Sequence, residues 1–123
     1  MASEEHDALN REIAERLLGW TRDEWEDVDG GMNPGWRMPS GEMWTHDFTP
    51  AFAGTWEGCG RVLEVMREGG WAVLIAVKPD RQCQVDVLRP REAVHVAASS
   101  AATVPEAVAK ACVQALRAEH HAR

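Results

Sequence analysis

The side chains able to do chemistry are few and scattered. Cys59, Cys83 and Cys112 lie 24 and 29 residues apart, gaps that fit neither a Cys-x-x-Cys redox motif nor a zinc-ligand spacing. Each falls on an apolar stripe, so the three read as small buried hydrophobes of a reducing compartment. A nucleophile–base pair of Cys83 and His95 would need both on one side of a sheet within hydrogen-bond reach. The alternation instead places Cys83 with the apolar set and His95 against it. The run Asp27-Val28-Asp29-Gly30 resembles a calcium loop. Setting Gly30 at the sixth position, however, puts Trp25 first and Trp36 twelfth, where oxygen ligands are required. His46-Asp47 reads as a helix start with an exposed neighbour. Gly30-Gly31 and Gly69-Gly70 lack the Lys-Ser/Thr and the strand–loop–helix setting of a phosphate loop. The expectation is a protein that is not an enzyme, with no metal and no cofactor.

Six tryptophans remain. Trp20, Trp56 and Trp71 sit on helix ends, stripes or strands and are expected in the core. Trp25, Trp36 and Trp44 lie in a glycine-rich stretch, where they either pack or bind. Arg22, Arg37 and His46 stand close to them. Aromatic faces beside arginine suit a nucleobase, with stacking worth roughly 1–3 kcal/mol per base; the same residues anchor protein interfaces. The candidate site is therefore Trp36, Arg37, Trp44 and His46, with Trp25 and Arg22 behind them. On a binding role, Trp36→Ala or Trp44→Ala abolishes recognition while costing less than the ~3–5 kcal/mol of a lost core aromatic.

Elements must position these residues. The chain has 123 residues, 45% hydrophobic and 27% charged, which suits one globular domain spanning 1–123. A net charge of −7 and a pI near 5.2 argue against non-specific nucleic-acid binding. Residues 1–58 hold 13 acidic and 4 basic side chains, a balance of −9, against +2 for the remainder. No apolar run approaches the ~20 residues of a membrane span, and MASEEHDALN is acidic, unlike a signal peptide. A cytoplasmic protein without a membrane partner is expected.

Leu9, Ile13 and Leu17, with Leu18 alongside, predict a first helix; Ser3 or Asp7 is its N-cap and Gly19 its left-handed stop. From about 19 to 47 the periodicity fails, predicting a long, ordered Trp/Gly-rich loop with at most a short strand. Thr49 as N-cap and Pro50 as first residue open a second helix whose stripe is Phe52, Trp56, Cys59, Leu63 and Met66, with Val62 beside it. Its three glycines, Gly54, Gly58 and Gly60, permit close approach of another backbone. Trp71 to Val77 is apolar throughout, as a central strand covered on both faces would be. Two alternating strands follow, Cys83-Val85-Val87 and Val94-Val96-Ala98, on short turns that favour an antiparallel meander. Thr103 and Glu106 form a capping box for a last helix with stripe Val108, Cys112, Ala115 and Leu116. The sum is an α+β domain, an α-β-α sandwich with a three- to four-stranded antiparallel sheet and helices on both faces.

Three segments, LNREIAERLLGW, THDFTPAFAGTWEGCGRVLEVMREGG and AATVPEAVAKACVQALRA, together resemble the phage ABA-sandwich domain family, small proteins of tailed phages and prophages. Gly19-Trp20, Asp47 with Trp56, and Thr103-Val104-Pro105 occupy that family's structural motifs. The likeness covers most of the chain outside roughly 23–43. It implies a layered α-β-α fold, a phage origin and the cytoplasm of a bacterial host, and it carries over no activity. The function expected is a non-catalytic, phage-encoded binding module. It would counter a host defence by sequestering a nucleotide-like ligand or by binding a host protein, with homo-oligomers open. The alternative is an accessory protein of phage replication or assembly acting through protein contacts.

Overall fold

A computed structural model describes residues 4–45, 49–79, 82–89 and 94–121. Helix α1, Glu4–Glu12, runs on as one π-helical turn, Ile13–Leu17. It ends where expected: Gly19 takes φ +72°, and the Trp20 N–H donates to the Ala14 carbonyl at 2.9 Å. Two three-stranded antiparallel sheets follow, separated by a helix. The first comprises β1 (Thr21–Glu26), β2 (Met32–Arg37) and β3 (Met43–Trp44). After helix α2, Trp56–Glu68, come β4 (Ala72–Val77), β5 (Cys83–Arg89) and β6 (Val94–Ala101). Helix α3, Val104–His121, closes the described chain.

The core is built around α3. Ala107, Val108, Ala109, Ala111, Cys112, Val113, Ala115 and Leu116 are all buried, so the helix is covered around most of its girth. Its alanines keep it slim enough to pack β5 and β6 on one side and α1 and α2 on the other. Below it Cys83, Val85 and Val87 of β5 meet Ala97 and Ala101 of β6 in one apolar layer. Thr103 caps the helix as expected, its Oγ1 accepting from the Glu106 N–H at 3.4 Å, while the Glu106 carboxylate turns to Lys110 at 3.5 Å and does not complete the box. The α+β class and the antiparallel three-stranded sheet are as expected. There are two such sheets instead of one, and in the larger one the helices gather on a single face instead of on both. The opposite face presents Leu74, Gln84, Asp86, His95, Ala98 and Ser100, none of them buried.

Three further expectations need correction. The segment 19–47 is no long loop: residues 21–44 pair as a ribbon with Arg22 opposite Trp36 and Trp36 opposite Trp44. Charges at Asp23, Glu24 and Glu26, with Pro34 and Gly35 in β2, mask its alternation. Helix α2 starts at Trp56, with Thr55 as N-cap accepting from the Gly58 N–H at 3.0 Å. Residues 51–54 form a turn that buries Phe52 and Ala53. Trp56, at the first helical position, therefore projects outward and is 70% exposed instead of buried. Finally β4 is an edge strand, and its outer half is open. The expected Ser3 cap and most of the expected turns after β4 and β5 lie outside the described residues.

The glycine expectation holds at Gly58. A Cβ there would stand 2.6 Å from both the Ala51 carbonyl oxygen and Phe52 Cα, so only glycine lets the 51–52 turn lie on the helix. Asn10 fastens α1 to the same turn, its Oδ1 accepting from the Ala53 N–H at 2.8 Å in a buried bond.

Candidate functional site

The ribbon grows from an aromatic base. Trp20, leaving α1, lies 6.5 Å from Trp36, 6.1 Å from Trp44 and 6.5 Å from Phe52, ring centroid to centroid. Trp36 is fully buried, and the guanidinium of Arg22 covers its ring at 4.7 Å from the opposite strand. Trp25 lies on the other face across Gly35, where a Cβ would meet its Cδ1 at 3.3 Å and the Trp44 carbonyl at 2.7 Å. The Trp25 and Trp36 indole N–H groups are shielded, with no acceptor among the described residues. Arg37 Nε donates to Asp23 Oδ2 at 2.6 Å, and its Nη1 donates to the Gly41 carbonyl at 3.1 Å.

The structure thus brings Arg22, Trp25, Trp36, Arg37 and Trp44 together, mostly as the ribbon's own framework. Trp36 belongs to the same buried cluster as Trp20, Phe52 and the core of α3, and offers no free face for stacking. Trp44 and Trp25 are half-buried. His46 lies outside the described residues.

The run Asp27–Gly30, which fails as a calcium loop, locks the other end as a turn. The turn from β1 to β2 is organised by Asp27, whose Oδ1 accepts from the Asp29 N–H at 2.9 Å and the Gly31 N–H at 3.0 Å. Its Oδ2 accepts from Asn33 Nδ2 at 3.0 Å, and Gly30 supplies φ +82°. These bonds hold the Asp27 carboxyl below its ordinary range, Asn33 contributing most. Asp23 is lowered likewise, chiefly by Arg37. An Asp preceding x-Asp-Gly-Gly was the available signal for this turn. At its tip Val28 is wholly exposed, beside exposed Asp29; Met32 is exposed opposite Glu26, and Glu24 is exposed further along β1.

Two other places merit comparison. A cleft of about 580 Å³ beside α2 is lined by Pro50, Phe52, Thr55, Glu57, Arg61 and Glu64, among others. Its volume suits a small molecule, yet Glu57 and Glu64 oppose a phosphate, and Arg61 already leans on the Trp20 ring at 5.7 Å. On the open sheet face His95 Nε2 lies 3.0 Å from Asp86 Oδ1, while Cys83 lies on the buried face, as the alternation requires. Burial raises the Cys59 thiol and, with the nearby Cys59 as a lesser cause, pushes Cys112 up to about 12. Both stay protonated at neutral pH and are poor nucleophiles. No group of three metal-ligating side chains converges among the described residues, and none of their helices is long and apolar enough to cross a membrane.

Comparison of the chain with protein-family models, curated proteins and solved structures returns no match.

Proposed function

We propose that this chain is a non-catalytic binding module that engages a basic protein surface through the β1–β2 hairpin. The exposed tip carries the reading: Val28 is free of packing, Met32 stands beside it, and Asp27 holds the turn in one shape. An apolar tip flanked by carboxylates is built to anchor centrally and to steer by charge. A turn already rigid loses little entropy on docking. The sequestration of a nucleotide-like ligand is the weaker reading, because the Trp36 ring is consumed internally and Arg37 is paired with Asp23. Resemblance to small phage proteins makes a host factor the natural partner, and opposing a host defence the natural outcome.

Site-specific photocross-linking tests this. A photoreactive residue at position 28 is expected to capture a protein whose yield collapses when Glu24, Glu26 and Asp29 are changed together to Lys. The same probe at exposed Ala98, on the far sheet, should capture none. Cross-linking from position 98 alone, or a nucleotide retained in native mass spectrometry, would overturn the hairpin reading.

A further inference from the structure

We infer that the free edge of β4 is the self-association surface of this protein, joining two copies into one continuous six-stranded antiparallel sheet. Among the described residues strand β4 is bonded on one side only, to β5, so alternate main-chain N–H and C=O groups along 72–77 point outward without a sheet neighbour there. Such an edge dictates its occupant's form, since only another extended strand answers a row of alternating donors and acceptors. Edges of this kind are normally blunted by Lys, Pro or a bulge. Here Ala72–Val77 has none of these, and Leu74, Ile75 and Val77 are 58%, 40% and 71% exposed.

The strand itself indicates that the occupant is a second copy. Read outward from Ile75, the sequence is nearly its own mirror: Val73 and Val77 flank it two residues away, with Leu74 and Ala76 between. A two-fold axis normal to the sheet at Ile75 sets Ile75 against Ile75 of the second copy and Val77 against Val73 of the second copy. All of these lie on the helix side, the face shared with Val85 and Val87. Coverage is complementary as well. Val73 is half-buried, whereas Val77 is open, so each copy brings its covered end to the other's bare end. Charge permits the approach, because the strand has no ionised side chain although the chain carries −7. A six-residue edge falls short of the roughly 800 Å² per partner of a standard interface, and the pairing is accordingly reversible and concentration-dependent.

Sedimentation velocity over a concentration series tests it, independently of the hairpin reading. The wild-type chain should pass from monomer to dimer. Ile75→Lys, which puts two like charges on the axis, should weaken dimerisation by about 100-fold. Val77→Lys provides a second variant at a position more exposed still, and circular dichroism should show both folded. Ile75→Cys should oxidise to a covalent dimer, since identical residues on the axis lie within disulfide reach, whereas Ala72→Cys should not. A wild-type chain that stays monomeric throughout, a dimer indifferent to both lysines, or cross-linking at 72 in preference to 75 would overturn the proposal.

Discussion

The two sheets share a plan, three antiparallel strands in sequence order, and are held by different physics. The β4–β6 sheet is cemented along its length: Cys83, Val85, Val87, Ala97 and Ala101 make an aliphatic layer pressed against α3. The β1–β3 ribbon is fastened at its ends. Three indoles and Phe52 clamp the base, and Asp27 ties the far turn with three hydrogen bonds. Burial spread over many methyl groups degrades gradually when one is lost. A structure hung on a few large rings concentrates the same dependence in single residues.

Breaking the aromatic clamp should have the largest effect. Trp36→Ala is expected to cost about 3–5 kcal/mol, as for other buried aromatics. Hydrogen exchange should show the ribbon amides losing protection before those of β5. Val87→Ala, in the other sheet, should cost no more than about 1.5–3 kcal/mol and leave the ribbon protected. Equal and global loss in both variants would dissolve the distinction between the sheets.

A smaller effect separates the two arginines that serve these sheets. Arg89 guanidinium lies 3.6 Å over Trp71, and its Nη1 donates to the Gly69 carbonyl at 2.7 Å. Its Nη2 donates to both Glu119 oxygens at 2.9 Å. It joins the ends of α2, β5 and α3, and Arg89→Ala should lower stability by about 1–3 kcal/mol in denaturant titrations. Arg37 pairs with Asp23 in the open, so Arg37→Ala should change stability little, and that little should fade in salt.

The smallest effect is in acid. Asp27 and Asp23 titrate below their ordinary values in the folded ribbon. Their contribution is present above the unfolded carboxylate pKa near 3.9 and is lost as pH falls through the depressed folded value. Protection of the ribbon amides, taken relative to their intrinsic exchange rate, should therefore fall below about pH 4, ahead of β5. Asp27→Asn should flatten that dependence; an unchanged acid profile would remove Asp27 from the account.

What was legible in the sequence is what depends on local periodicity and caps. Gly19, the Thr103 N-cap and the stripes Val108-Cys112-Ala115 and Cys83-Val85-Val87 each declare themselves over a few residues. The ribbon did not, because its interior is supplied by indoles from one end while its strands are charged and broken by Pro34 and Gly35. Coverage is equally invisible locally: an apolar run such as 72–77 looks the same at an edge as at a centre, and β4 proves to be an edge. The candidate residues Arg22, Trp25, Trp36, Arg37 and Trp44 all fall on the β1–β3 ribbon. Its tryptophans were weighted over Val28, whose exposure only the turn geometry reveals.

Cys59 on α2 and Cys112 on α3 give the protein a clock. Both are buried, and their thiols are kept protonated by that burial, so an alkylating reagent reaches them only when the helix pair parts. Where alkylation is slower than reclosing, the pace of labelling measures the population of the opened core; where it is faster, it measures how often the core opens. Cys83, at the start of β5, keeps a second time for the sheet. With no disulfide to reshuffle, the thiols report two openings, one of the helix pair and one of the sheet, and a partner that tightens one layer will slow that layer's thiols first.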